Sequence, residues 1–258
     1  MIDTHTHLYM TEFFPDGGIE AVKRAVESGV DMMVLPAVDR ESVEPLLSLH
    51  AACPVNTAVA LGLHPTEVEA DWREELEWIL TEGSDIDLVG IGETGVDLHY
   101  GDQSLQRQMD AFGEQIQIAL DRGLPVIVHS RDAIDETVEV VRSFERDMPR
   151  IVFHSFTYGV PEMEKLTKYA PEAYFGINGV VTFKNAPEVQ DAVRNMPVDR
   201  LLTETDAPFL APVPFRGKTN ESSNIPYIIR KIAELRKVDE ETIKVASIEN
   251  ARRFFGKI

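Results

Sequence analysis

Ile2-Asp3-Thr4-His5-Thr6-His7 opens the chain, and its periodicity sets the reading of everything after it. Side chains two apart on an extended strand point the same way. His5 and His7 therefore project together, with Asp3 below them. Imidazole is the commonest protein metal ligand. Two imidazoles on one face at the end of an apolar strand make half of a metal site. The plain alternative is a pair of exposed histidines at a frayed terminus, and the rest of the chain decides between the two.

Working outward, apolar strand-like runs alternate with segments of helical period. The strands are expected over Met1 to His7, Met32 to Pro36, Thr57 to His64, Asp87 to Gly92, Pro125 to His129, Arg150 to His154, Ala173 to Asn178 and Arg200 to Glu204. Helices are expected over Gly17 to Gly29 with Asp16 as N-cap, and over Asp71 to Glu82. In the second, Asp71 and Glu74 have capping-box spacing, and Trp72, Leu76, Ile79 and Leu80 form the buried stripe. Gln103 to Arg122 is the longest, stopped by Gly123 and Pro125. Arg131 to Arg146, Pro161 to Tyr169, Pro187 to Asn195, Asn224 to Arg236 and Asp239 to Phe255 complete the set. Ala207 to Ser223 is the one long irregular stretch, and a loop that long is usually functional.

Eight strands alternating with helices imply a parallel sheet covered on both faces. The chain has 258 residues, close to the ~250 of a (β/α)8 barrel. No GxGxxG turn follows the first strand, so no dinucleotide site is expected. The fold expected is α/β, a single (β/α)8 TIM barrel spanning residues 1–258 as one domain.

In such a barrel the active site lies at the C-terminal strand ends. Those ends carry His5 and His7, His64, Glu93, His129, His154, and Glu204 with Asp206. Five of the seven histidines fall there. Parity aims them inward: Ile127 and His129 share a face opposite Val126 and Val128, Val89, Ile91 and Glu93 share one, and so do Glu204 and Asp206. His5, His7, His129, His154, Glu93 and Asp206 are more ligands than one zinc ion takes. They suit two divalent ions, with Glu93 as the bridging carboxylate.

Composition narrows the partners. The formal charge is −19, which argues against a membrane surface or broad wrapping of DNA but leaves an anionic substrate open if cations are bound. The single cysteine, Cys53, forms no internal disulfide, which fits a reducing compartment. No basic segment followed by an apolar one opens the chain, and no apolar run reaches ~18 residues. A cytoplasmic protein, plausibly a monomer, is expected.

Beyond these signals, the chain resembles the TatD-like metal-dependent hydrolases, a family of deoxyribonucleases within the amidohydrolase superfamily. The resemblance rests on blocks in family order: Ile2 to Leu8, Gly62 to Pro65, Gly90 to Asp97, His129 to Ala133, His154 to Phe156, Glu204 to Pro208, Arg216 to Glu221 and Asn250 to Gly256. It implies a barrel with two ions (Zn, Mg or Mn), His5, His7, Glu93 and Asp206 holding one and Glu93, His129 and His154 the other. It implies hydrolysis of DNA phosphodiesters, 3′–5′ exonuclease-like; the strong negative charge and the few basic residues near the site point to single-stranded ends or short oligonucleotides as the substrate. The chain departs from the family pattern at Thr94 and Val96, in the longer Phe156-Thr157-Tyr158-Gly159 block, and at Ser222 after Glu221. Many binuclear members of the superfamily bridge their metals with a lysine at the end of strand four; Glu93 stands there instead. The alternative function is a small-molecule amidohydrolase acting on an amide, lactone or cyclic amide.

Catalytic roles are expected for Glu93, as bridge, and Asp206, as the base that takes the proton of the attacking water. Glu204 would orient a ligand. His64, Arg131, Arg216 and Lys218 are candidate phosphate contacts, because the guanidinium fork and imidazole match phosphate oxygens; Asn220 is a further candidate. Phe156, Tyr158 and Tyr100 are candidate base-stacking residues. His50 and His99 have no assigned role.

Overall fold

Each βα unit begins with a short run rich in β-branched or aliphatic residues and ends in a helix packed on the sheet. The computed structural model describes residues 1–101 and 104–258. Its strands are β1 Ile2–Asp3, β2 Met32–Pro36, β3 Thr57–Leu61, β4 Gly90–Asp97, β5 Val126–Arg131, β6 Ile151–Phe153, β7 Tyr174–Ile177 and β8 Leu201–Thr203. They form one eight-stranded sheet in sequence order, every pair parallel. The chain after β8 closes it against the first strand. Thr4 N donates to Thr203 O at 3.1 Å, Asp206 N to His5 O at 2.9 Å and His7 N to Ala207 O at 2.7 Å. The molecule is a (β/α)8 barrel, as its sequence periodicity leads one to expect.

The helices are α1 Ile19–Glu27, α2 Arg40–Ala52, α3 Trp72–Glu82, α4 Leu105–Arg122, α5 Ile134–Ser143, α6 Val160–Tyr169, α7 Pro187–Asn195, α8 Ile225–Arg236 and α9 Glu240–Phe255. The helix α2 has no counterpart in the sequence reading. Pro45 lies inside it and masks the helical period, yet Asp39 and Ser42 form a full capping box at its start. The capping box expected at Asp71 is not made: its side chain caps nothing, although Trp72, Leu76, Ile79 and Leu80 are buried as expected. Asp16 accepts from Glu20 N at 2.7 Å, but Gly18 holds the N-cap position of α1. Gln103, the expected start of α4, lies outside the described residues. Arg131 belongs to the end of β5 and not to α5.

Two apolar layers hold this together. Ile2, Val34, Ala58, Val89, Ile127, Val152 and Leu202 fill the barrel, and Phe254 and Phe255 of α9 close its lower end. A larger layer, including Leu61, Leu63, Ile91, Phe112, Ile116, Val126 and Val128, packs between strands and helices. Ile91 thus faces outward, which corrects the expectation that it shares a face with Glu93. The register of β4 against β5 shifts between Ile91 and Thr94. The extra residue of this bulge turns Glu93 inward, and β4 then runs on to Asp97, well past the expected end at Gly92.

Gln115 of α4, fully buried, stitches the outer layer to this strand. It accepts from Leu63 N at 2.9 Å and donates to Leu63 O at 3.1 Å and to Thr94 Oγ1 at 2.7 Å. Replacing it strands Leu63's backbone groups without partners. In denaturant unfolding, Gln115→Met should lose about 2–3 kcal/mol, while Gln117→Met on the exposed face of the same helix changes stability by less than ~0.5 kcal/mol.

Candidate metal centre

The barrel's C-terminal end opens into a cavity of about 640 Å³ lined by His7, His64, Glu93, Asp97, His129, Arg131, His154, Ser155 and Asp206, among others. At its floor lies Glu93, 2% exposed. Its Oε2 is 3.2 Å from His5 Nε2 and 3.7 Å from His7 Nε2. Its Oε1 faces the other way, 2.5 Å from His154 Nε2, 3.0 Å from His129 Nδ1 and 3.5 Å from His64 Nε2. Asp206 Oδ1 completes the first set, 3.8 Å from His5 Nε2 and 3.7 Å from His7 Nε2. The six residues proposed from sequence as ligands therefore converge, divided by the two oxygens of one carboxylate.

Several observations fit these atoms to cations. His5 Nε2 and His7 Nε2 face each other at 3.2 Å, as do His129 Nδ1 and His154 Nε2. A tetrahedral ion with ~2.1 Å bonds separates its ligand atoms by ~3.4 Å. Hydrogen bonding also assigns the lone pairs. Tyr9 Oη donates to Pro36 O at 2.6 Å, so it accepts from His7 Nδ1 at 2.8 Å, and the free lone pair of His7 sits on Nε2. His129 donates from Nε2 to Asp97 Oδ2 at 2.9 Å, leaving Nδ1 free toward Glu93. Outer hydrogen bonds of this kind fix ligand tautomers in metal sites. His64 is the reverse: Thr66 N donates to its Nδ1 at 3.2 Å, which leaves the ring proton on Nε2, facing the cavity. Its ring suits a hydrogen-bond donor.

Charge is distributed to match. Burial alone would raise the Glu93 carboxyl, but His154, His5 and His64 around it hold it well below the ordinary range. Burial would lower His154, yet the Glu93 and Glu204 carboxylates push it well above its usual value. His129 is likewise raised, against burial, by Asp97 and Glu93. Burial lowers His5, reinforced by His154, and pulls His64 down to about 3. Without cations the cluster thus keeps its carboxylates charged and shares protons among the rings.

The supporting residues come from several elements. Asp3 accepts from Thr205 N at 2.9 Å, Thr205 Oγ1 at 2.5 Å and His5 N at 3.3 Å, locking the two chain segments that carry candidate ligands. Burial raises its carboxyl to about 7, against these bonds. Glu204, 1% exposed, accepts from Ser155 N and lies 3.7 Å from His154 Nδ1. Its room exists because β7 has glycine opposite: a Cβ on Gly176 would sit 2.0 Å from Glu204 Oε2. Sequence reasoning passed over Asp97 and Tyr9, although strand parity from Glu93 and from His5 and His7 points to both.

The other expected contacts divide. His64, Arg131 and Tyr100 line the cavity; Arg216 and Lys218 are not among its lining residues, and the Arg216 guanidinium lies 4.3 Å over the Phe183 ring. Phe156 is buried against Phe175, so it packs in the core and does not face a substrate. Tyr158 donates to Ser130 O at 3.2 Å. Asn220 is fully buried and holds the loop after β8 in place of contacting phosphate, donating to Thr205 O and Phe209 O and accepting from Glu221 N and Asn224 Nδ2. That loop places Phe209 and Leu210 on the cavity wall.

Comparison with known proteins agrees with this geometry. The family model described as "TatD related DNase" matches residues 2–256. The chain is 34% identical over 255 residues to an uncharacterized metal-dependent hydrolase of Bacillus subtilis, YabD, covering 99% of this chain and 98% of that one. It is 32% identical to an uncharacterized metal-dependent hydrolase of Mycobacterium tuberculosis, TatD, with 99% and 98% covered. The crystal structure of YjjV, a TatD homologue from Escherichia coli, superimposes with a TM-score of 0.87 at 27% identity, over 100% of this chain and 98% of the other.

Two measurements probe the centre. Because His154 and His129 bind protons more tightly than usual, adding Zn²⁺ to chelator-stripped protein near pH 7.5 should release protons. Metal affinity should then fall as the pH drops and the rings recapture them; titration in weak buffer reads both, and loading without acid release counts against these ligands. Asp97→Asn should weaken metal binding by about 10–100-fold in chelator competition, with activity recovering at high metal concentration.

Proposed function

Since the chain belongs to the TatD-related DNase family of metal-dependent hydrolases, we propose that it hydrolyses DNA phosphodiester bonds, working 3′–5′ on single-stranded ends or short oligonucleotides. The observation that carries the reading is the division of the Glu93 carboxylate between two imidazole sets, which provides for two cations side by side. A phosphodiester repels nucleophiles with its own negative charge. Paired divalent ions supply neutralisation of that charge and a water of lowered pKa.

The protein's residues do the rest. His5, His7 and Asp206 would hold one ion and His129 and His154 the other, with Glu93 serving both. Asp206, at the edge of its set, takes the proton of the attacking water. His64 donates from Nε2 to a phosphoryl oxygen, and its low pKa keeps it a neutral donor. Arg131 supplies a cation to the phosphate. Four imidazoles suit zinc, and the carboxylates admit magnesium or manganese.

Electrostatics favours small substrates. Gripping a duplex requires many phosphate neutralisations. The chain carries −19, and Arg131 is the one lysine or arginine among the described residues lining the cavity. Tyr100, Phe209 and Leu210 on the wall offer apolar and aromatic surface to an unpaired base instead.

The test is digestion of end-labelled oligonucleotides by chelator-stripped protein given one divalent ion at a time. Stepwise shortening from the 3′ end is expected, with Glu93→Ala reduced to background. Equal rates on intact circular duplex would remove the substrate assignment. Turnover of lactones or dipeptides with none of oligonucleotides would instead establish a small-molecule amidohydrolase.

A further inference from the structure

Ser155 follows His154 directly and has a backbone φ of +47°, in the left-handed region that non-glycine residues seldom adopt. Two buried side chains hold it there. Glu204 accepts its backbone N–H. Asn178, 2% exposed, donates from Nδ2 to its Oγ at 2.7 Å. The direction of that second bond is set independently. Asn178 Oδ1 accepts from Val180 N at 3.0 Å, capping the 3-10 turn Gly179–Thr182, so the amide can present only its NH₂ to the serine.

A hydroxyl that accepts from an amide still has one proton to donate. Among the described residues no protein group accepts it, and Ser155 lines the same cavity as Glu93, His154 and Asp206. We propose that Ser155 is a catalytic hydrogen-bond donor, its hydroxyl aimed by Asn178 at a non-bridging oxygen of the scissile phosphate. This rests on the phosphodiesterase reading above. No proton is transferred; the bond shortens as charge gathers on that oxygen in the transition state, so the effect falls on kcat more than on KM. Asn178 is a positioning residue, acting only through Ser155.

The pairing yields a sharp test. Asn178→Asp keeps an oxygen for Val180 N–H but turns the second bond around. Its carboxylate accepts the serine proton and withdraws it from the cavity. On a short oligonucleotide with saturating metal, Ser155→Ala and Asn178→Asp should each lower kcat by about 10- to 100-fold. The double variant should be no slower than about twofold below either, because both changes delete one bond. Bound metal should match the parent throughout, and melting temperature should match it for Ser155→Ala; Asn178→Asp, which buries a carboxylate, is assayed well below its own melting temperature. Sulfur accepts hydrogen bonds weakly, so of the two phosphorothioate diastereomers, the one with sulfur at the contacted oxygen should slow the parent more than it slows Ser155→Ala.

Losses that multiply, a Ser155→Ala rate within threefold of the parent, a kcat loss that vanishes when metal content is equalised, or an unchanged thio effect would each overturn the assignment. Failure of the underlying reading looks different. The parent itself would then hydrolyse no phosphodiester, and the same variants assayed on whichever lactone or dipeptide it does hydrolyse would show no coupled loss if Ser155 has no donor role.

Discussion

One buried carboxylate governs the design of this barrel. Glu93 is enclosed by five imidazoles, from His5, His7, His64, His129 and His154, all within 3.7 Å of its oxygens. A charge removed from water is tolerated only when partners surround it, and those partners come from three separate strand ends plus the turn after β3. The barrel must therefore bring these ends together for the centre to exist at all. Equally, the cluster of nitrogens is tolerable only because a carboxylate and, on loading, cations lie between them.

The surroundings are built to keep that arrangement from relaxing. Asp3 ties the first strand to Thr205, next to the candidate ligand Asp206. Tyr9 and Asp97 each take the outward proton of a candidate ligand histidine, so the opposite ring nitrogens already face inward before any ion arrives. Glu204 braces the turn after β6 through Ser155. Such preorganisation means that binding a cation requires loss of protons from the rings more than movement of side chains.

Local rules failed in two informative places. The helix α2 was invisible because Pro45 interrupts its period, while its capping residues, Asp39 and Ser42, were plainly written. The capping pattern at Asp71 was read where the side chain makes no such bond. A cap is stabilising by only about 1 kcal/mol, and the packing of Trp72 and Leu76 defines that helix start without it.

Sequence by itself determined the barrel and the residues that meet at its mouth. Eight alternating units allow little else, and polar residues closing apolar strands have nowhere to point but the open end. Tertiary structure alone decided three things. The bulge in β4 places Glu93 inside and Ile91 outside, against simple parity, because two residues there oppose one of β5. Hydrogen bonds to Tyr9, Thr66 and Asp97 settle which ring nitrogen His7, His64 and His129 present, and so separate His64, a proton donor, from His7 and His129. The course of the loop after β8, pinned by Asn220, puts Phe209 on the cavity wall and leaves Arg216 over Phe183. Alternation is a local property of the backbone and can be read along the chain; proton placement depends on how side chains meet in space, and the course of the chain after β8 depends on His5 and His7 at the opposite end of the sequence.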